Sequence, residues 1–319
     1  MKQFIVGLAI SVVALWLAFK DMDWGAFKEA LSQGNIVWIV VASVVLLSAV
    51  PLRGIRWQIF LNPIKSVPVR LTTEATIVGY FGNNALPFRL GEILRSYFVA
   101  REARAPLTQV FGTVLVERVV DMITVLVLLV LLPFVGAVPD ALRLPILWVV
   151  IICIVLAIVT VWLARRTDGI PFIKGRLKPV LDNLQLGFTS LRQGRHYVVL
   201  LLTTVGVWVV YLMNIYIAQY AMGLELSIAE SYLVLVTTTL VLLVPAAPGF
   251  VGTFHAAVIL AFVNVLSADL ARAQAIAVVL HAIGFIPYTI IGAIIYFRSH
   301  LRLREVRAQK WEPGTEADQ

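Results

Sequence analysis

Six stretches of the chain are apolar at nearly every position: 3–20, 36–52, 110–134, 145–164, 197–222 and 272–297. Each approaches or exceeds the roughly 20 residues a helix needs to cross a hydrocarbon core. The pattern predicts an all-α integral membrane protein with six full transmembrane helices. Only Lys2 precedes the first stretch, and no small-residue cleavage signature stands before Lys20-Asp21, so it reads as a retained helix rather than a signal peptide. Two further regions are apolar but interrupted. Residues 71–104 break at Gly82-Asn83-Asn84 and again at Pro87, and residues 230–267 break at Pro245-Ala246-Ala247-Pro248-Gly249. Pro and Gly inside an apolar run free backbone groups that lipid cannot satisfy, so such breaks must be buried in protein or line a wet cavity. Two interrupted segments, one in each half of a chain, are the sequence pointer to a transporter site at the bilayer midplane. They are expected to be re-entrant hairpins; the competing expectation is a pair of kinked structural helices.

Composition agrees with the pattern. Of 319 residues, 60% are hydrophobic and 14% charged, and the mean hydropathy is +0.92. Soluble domains carry about 25% charged residues, so a soluble enzyme, a disordered chain and a disulfide scaffold are excluded. The single cysteine, Cys153, lies in an apolar run, and the four histidines are too dispersed to suggest a zinc site. No metal and no cofactor is expected. The net charge of +8 marks loops rather than a nucleic-acid partner. Arg53, Arg56, Lys65 and Arg70 fill segment 53–70, seven basic residues lie in 165–196, and Arg298, Arg302, Arg304, Arg307 and Lys310 crowd the tail. All three rich segments fall on one side if 71–104 enters and leaves there and 230–267 enters and leaves on the other. Both termini are then cytoplasmic, with residues 1–300 forming one polytopic domain and 301–319 a short charged tail.

The unusual residues sit at the breaks. In Asn84-Ala85-Leu86-Pro87-Phe88-Arg89-Leu90-Gly91-Glu92-Ile93-Leu94-Arg95, Pro87 suits the first turn of a helix, and Glu92 and Arg95 then share a face. Arg89 and Arg95 bracketing Glu92 at a helix N-terminus make a phosphate-binding arrangement; the alternative is that both arginines snorkel to the headgroups. The second break reads Pro248-Gly249-Phe250-Val251-Gly252-Thr253-Phe254-His255. Pro87 and Gly91 stand four apart, as do Pro248 and Gly252, which suggests an inverted repeat. His255 is either packed or part of a polar site. Inside the third stretch, Glu117 and Asp121 share a helix face and Arg118 is spaced to pair with Asp121. Three charges at such depth must face protein or water, as an ion-pair clamp or as a substrate contact, and a clamp that holds Arg89 or Arg95 serves both. Asn214, Asn264 and Thr237-Thr238-Thr239 are expected to hydrogen-bond between helices, His281 to pack, Glu74 to meet an arginine, and Trp24, Trp38 and Trp208 to mark interfaces.

In these three blocks (Asn84 to Arg95, Glu117-Arg118-Val119-Val120-Asp121, and Pro245 to His255) the chain resembles the transmembrane region of the lysylphosphatidylglycerol synthase family, a flippase-like domain, across roughly residues 5–300. The resemblance implies translocation of a lipid in a bacterial inner membrane, or an accessory role beside a lipid-modifying enzyme. It departs from the family at His255, where many relatives carry an acidic residue, and the soluble lysyl-transferring domain of some relatives has no counterpart here. No P-loop is present, so nucleotide hydrolysis cannot drive transport directly. Three functions follow as expectations: a translocase of lipids with an anionic or phosphate-containing headgroup, an integral-membrane transferase with Glu92 as the carboxylate that holds a metal or acts as base, and a non-catalytic accessory subunit.

Overall fold

The computed structural model describes residues 2–86, 89–135, 194–241 and 247–299, together with Leu144, Leu147, Trp148, Ile151 and Val155. Among the described residues all regular structure is helical. Most of the expected span 145–164, the basic residues from Arg165 to Arg192, the tail 301–319, and Pro87, Phe88, Pro245 and Ala246 lie outside them.

Helix α1 (Lys2–Phe19) leads to a short helix, α2 (Trp24–Ser32), within the stretch the pattern leaves as a loop. The Asp23 carboxylate caps α2 by accepting from the N–H groups of Gly25 at 2.8 Å and Ala26 at 3.1 Å. Next come α3 (Ile36–Leu47) and α4 (Ala49–Leu61), one apolar rod jointed at Ser48. Pro51 has no N–H to donate one turn back, which accounts for the joint. The rod corrects the expected span 36–52: the helix runs through Arg53 and Arg56 and ends only before Asn62-Pro63.

The remaining described helices are α5 (Val69–Ala85), α6 (Gly91–Ala103), α7 (Leu107–Leu131), α8 (Gly194–Ala221), α9 (Ile228–Val241), α10 (Thr253–Leu260) with a π-turn over Ala261–Val265, and α11 (Leu270–Arg298). Among the described residues, three apolar helical stretches are long enough to cross a membrane unaided: Ile36–Leu61, His196–Ala221 and Leu270–Arg298. By contrast, α5 has 17 residues, α6 13 and α9 14. At 1.5 Å per residue these are about 25, 20 and 21 Å long, against a hydrocarbon core of about 30 Å.

The first interruption is simpler than its sequence suggests. Helix α5 passes unbroken through Gly82-Asn83-Asn84, and the chain leaves the helix only after Ala85. Gly82 is a contact point, not a breaker: a Cβ there would lie 2.6 Å from Gly91 Cα. A Cβ on Gly91 would collide with the Gly79 carbonyl oxygen and stand 2.6 Å from the Asn83 nitrogen. The arms of the α5–α6 hairpin thus approach backbone to backbone, a use of small residues familiar from membrane helix pairs.

The 29-residue α11 aligns the two interrupted regions. Along its C-terminal half lies α5, with Gly292 against Phe81 and Ile77, and Asn84 Nδ2 donating to Thr289 Oγ1 at 2.9 Å. Along its N-terminal half lie the second break and α1: a ring nitrogen of His281 is 2.8 Å from the Gly249 carbonyl oxygen, and Gln274 Nε2 donates to the Ala18 carbonyl at 2.8 Å. The breaks therefore face each other near the middle of α11, where the Arg89 guanidinium stacks 5.0 Å from the Phe250 ring centroid. Each half has its own buried cluster, one around Trp57, Phe60, Leu94 and Val114, the other around Ile215, Val258, Phe262 and Ile276.

Smaller expectations divide. Asn214 Nδ2 does reach across to the Ala42 carbonyl, at 2.8 Å, and Glu74 meets Arg70 at 2.7 Å. Thr238 and Thr239 instead bond carbonyls of their own helix, because an i−4 carbonyl is always within reach of a helical threonine. Trp24 and Trp38 are exposed, whereas Trp208 is buried and packs edge-on against Tyr211 at 5.7 Å, so it is a core residue and not an interfacial one.

Candidate functional site

Seven charged side chains from α4, α6 and α7 meet inside the protein. Arg53 and Arg56 are one turn apart on α4, and Glu117 and Asp121 one turn apart on α7, so two helix faces of opposite charge can zip together. Arg53 Nη2 lies 2.7 Å from Glu117 Oε1 and 2.8 Å from Asp121 Oδ2. Arg56 Nη2 lies 3.0 Å from Glu117 Oε1 and 2.6 Å from Asp121 Oδ1. Helix α6 adds Arg95, whose Nη1 is 2.9 Å from Glu117 Oε2 and whose Nη2 is 2.7 Å from Glu92 Oε2. Arg118 completes the set at 3.3 Å from both Glu117 and Asp121 and 3.8 Å from Glu92.

Glu117 is the hub: fully buried, it is shared by all four arginines. It does hold Arg95, as a clamp should. The Arg95 guanidinium also lies 4.7 Å above the Trp57 ring, whose Nε1 donates to Thr113 Oγ1 at 2.8 Å. On the far side, Arg53 Nη1 donates to the Tyr211 hydroxyl at 3.0 Å, and Tyr80 stacks on Tyr288 at 4.5 Å.

The balance of this cluster is its chemical content. Four guanidinium groups meet three carboxylates, leaving one positive charge in excess. Arg53 Nε, Arg56 Nε and Nη1, and Arg118 Nε are buried donors without a hydrogen-bond partner. An unmatched buried cation with unfilled donors favours an anion or water. A cavity of about 10 Å³ opens on this cluster, walled by Arg53, Arg95, Arg118, Tyr80, Asn83 and Glu92 among others. That is room for roughly one water and no headgroup. Arg118, with a side chain 39% exposed, is its most open cation.

Arg53 and Arg56 correct the sequence reading, which assigned them to a cytoplasmic loop. Their true signal is the absence of any turn before Asn62-Pro63, together with an i, i+3 spacing that matches Glu117 and Asp121. Glu92 is ion-paired to Arg95 at 2.7 Å and lies 3.8 Å from Arg118. Arg89 adopts a left-handed backbone, φ 53°, and its guanidinium lies over the Phe250 ring.

At the second break, Gly249 and Gly252 have φ of 68° and 90°. A Cβ at Gly252 would strike the Ser11 carbonyl of α1, so glycine is required there on two counts. Pro248 opens one short 3₁₀ turn, and Gly252 precedes α10 as Gly91 opens α6. The Gly252 N–H points at His255 Nδ1, 3.4 Å away. His281, expected only to pack, brings its ring within 4.7 Å of His255, centroid to centroid, with Phe254 and Phe285 around the pair. Among the described residues no three His, Cys, Asp or Glu side chains converge to hold a metal ion.

The site residues come from three separated stretches, and a family model spans all of them. The transmembrane region of lysylphosphatidylglycerol synthase matches residues 4–292. UPF0104 membrane protein MJ1078 of Methanocaldococcus jannaschii is 23% identical over 220 residues, covering 68% of this chain and 93% of that protein. A UPF0104 membrane protein of Methanothermobacter thermautotrophicus is 23% identical and covers 92% of this chain and 95% of its own. Glycosyltransferase AglD of Haloferax volcanii is 29% identical over 122 residues, which are 38% of this chain and 20% of that protein. No solved structure matches significantly. With apolar helices able to span a bilayer and a family match over nearly its whole length, the chain is an integral membrane protein of the lysylphosphatidylglycerol synthase transmembrane-region family.

Proposed function

We propose that the protein is a lipid translocase for lipids with an anionic, phosphate-containing headgroup. The observation that carries this reading is the buried arginine excess, placed beside the point where the two interrupted segments meet. The helices of the hairpins α5–α6 and α9–α10 have 17, 13, 14 and 8 described residues, at or below the lower limit of about 17 for a spanning helix. They lie along opposite halves of α11, which supports re-entrant segments entering from opposite faces. Arg70 and Arg298 line one cleft at one end of the bundle, and the bias of basic residues makes that end the cytoplasmic one.

The cluster as described is a closed state. A phosphate that reaches Arg118 and Arg95 takes the place of Glu92, whose 3.8 Å contact with Arg118 is the longest ion pair in the cluster. Guanidinium groups suit this exchange because their donors match two phosphate oxygens at once. The first turn of α6, beginning at Gly91, adds N–H groups with no intrahelical acceptor. Acyl tails stay in lipid while the headgroup passes the protein interior, where Arg89, Asn84 and the glycines of the second break line the meeting point. His255 and His281 are the titratable groups there, so passive scrambling and proton coupling both fit.

The test is reconstitution with a headgroup-labelled phospholipid and an impermeant quencher. Wild-type vesicles should lose nearly all label, and protein-free vesicles about half. Arg118→Ala and Arg89→Ala should slow the second phase at least tenfold. Wild-type protein that moves phosphatidylglycerol no faster than empty vesicles ends the proposal.

A transferase reading has one observation in its favour, the partial likeness to a protein named glycosyltransferase. Against it, Glu92 is held by Arg95 and Arg118 and is not free to bind a metal or take a proton. Transfer of a sugar from a nucleotide-sugar to a lipid acceptor by the purified protein would favour this reading over transport.

A further inference from the structure

We propose a second phospholipid site, separate from the interior cluster: a cleft at the basic end of the bundle that retains one anionic phospholipid by its headgroup. The cleft, of about 230 Å³, lies between the first turns of α5, the face of α6 and the last turn of α11. Its walls are Arg70, Glu74, Phe98, Ile295, Arg298 and Ser299. It is over twenty times roomier than the interior cavity, whose volume is about 10 Å³.

The lining divides into two chemistries. Phe98 and Ile295 supply an apolar wall. Arg70 and Arg298 supply two guanidinium groups against the single carboxylate of Glu74, so the cleft carries one positive charge in excess. Arg70 uses its Nε on Glu74 at 2.7 Å, and its side chain is otherwise 87% exposed. The Arg298 side chain makes no ion pair or hydrogen bond among the described residues, and it stands at the C-terminal end of α11, which is long enough to span a bilayer and so brings it to headgroup level. Ser299 donates its hydroxyl to the Tyr296 carbonyl at 2.7 Å, which leaves its oxygen able to accept from a glycerol hydroxyl.

A soluble phosphate would use only the cationic half of this lining. A phospholipid uses both: the phosphate sits between the two arginines, and the first carbons of the tails run down Phe98 and Ile295 into the bilayer. An anionic headgroup is favoured over a zwitterionic one, whose own cation competes for Glu74 while facing Arg70 and Arg298. The site does not depend on transport, since none of its residues belongs to the charge cluster of α4, α6 and α7.

The experiment is native mass spectrometry of the full chain released from detergent with a titration of phosphatidylglycerol, phosphatidylcholine or soluble glycerol phosphate. Wild-type protein should retain one phosphatidylglycerol at least tenfold more tightly than phosphatidylcholine, and should not retain glycerol phosphate. Arg70→Ala with Arg298→Ala should weaken that first lipid about thirtyfold, in line with two interfacial charges acting on one phosphate. Arg298→Lys, which keeps the charge, should retain most of the binding, and both surface variants should unfold at the wild-type temperature. Arg118→Ala, which tests the interior cluster, should leave this first lipid in place even where transport is lost. Unchanged binding in the double variant, loss of the first lipid in Arg118→Ala alone, or equal retention of glycerol phosphate each overturns the proposal.

Discussion

Glu117→Gln removes the charge that four arginines share while keeping the side chain's size. The cluster then holds four guanidinium groups against two carboxylates, and the new amide points a donor at Arg53, Arg56 or Arg95. Breaking one partner of a buried ion pair costs about 3–5 kcal/mol, because the remaining charge stays buried without compensation. Arg56→Met perturbs the same cluster in the opposite sense. Arg56 is fully buried with two donors unfilled, and its loss brings the cluster to three charges of each sign. Asp121 keeps Arg53 and Arg118, and the methionine fills much of the space. That change should cost less than about 1.5 kcal/mol. The double variant, with three guanidiniums and two carboxylates, should recover about 1–3 kcal/mol relative to the sum of the single changes. Thermal unfolding in detergent, followed by tryptophan fluorescence at one scan rate, reads the differences. At about 2–4 °C per kcal/mol, Glu117→Gln should unfold roughly 6–20 °C lower and Arg56→Met less than about 6 °C lower. If Arg56→Met loses as much as Glu117→Gln, the charge excess is not what governs this cluster.

Other outcomes follow from the packing. Gly91→Ala forces a methyl into the Gly79 carbonyl and should lower the unfolding temperature sharply or abolish folded protein, while Gly284→Ala, whose new methyl meets only Leu46 at 3.6 Å, should raise stability by up to about 1 kcal/mol in the same assay. Gly252→Ala meets both a φ of 90° and the Ser11 carbonyl, so disulfide trapping between cysteines placed on α1 and α10 should become slower than in the parent. His281→Phe leaves the Gly249 carbonyl without its donor and should cost about 1–2 kcal/mol, with faster amide exchange confined to residues near the second break; exchange unchanged there would mean that the His281 bond does not hold the turn.

Among the described residues, α1, α7, α8 and α11 follow the long apolar runs closely. Boundaries failed where one residue type serves two ends. Pro51 and Arg53 look like the exit from a membrane helix, but a proline in a first turn is tolerated and an arginine inside protein is tolerated when carboxylates face it. Gly82 looks like a breaker, yet within α5 its missing side chain is what lets α6 approach. The candidate site was visible in part: Glu117, Asp121, Arg118, Glu92 and Arg95 stand out because charge is rare in apolar sequence. Arg53 and Arg56 did not, since basic residues after a hydrophobic run have an ordinary explanation as loop residues.

What the sequence determined by itself is the class of the protein: its apolar fraction commits the backbone to helices in lipid, and its isolated charges commit those helices to facing one another. What only the tertiary structure decided is the pairing. Carboxylates one turn apart can accept any arginines brought to the same depth. It is the packing of α4, α6 and α7 that matched four against three and left a cation unfilled. The same holds for His255 and His281, 26 positions apart in the chain and adjacent in space. Local pattern sets which side chains cannot face lipid, but the contacts that satisfy them are long-range, and they form only when the helices have been placed side by side.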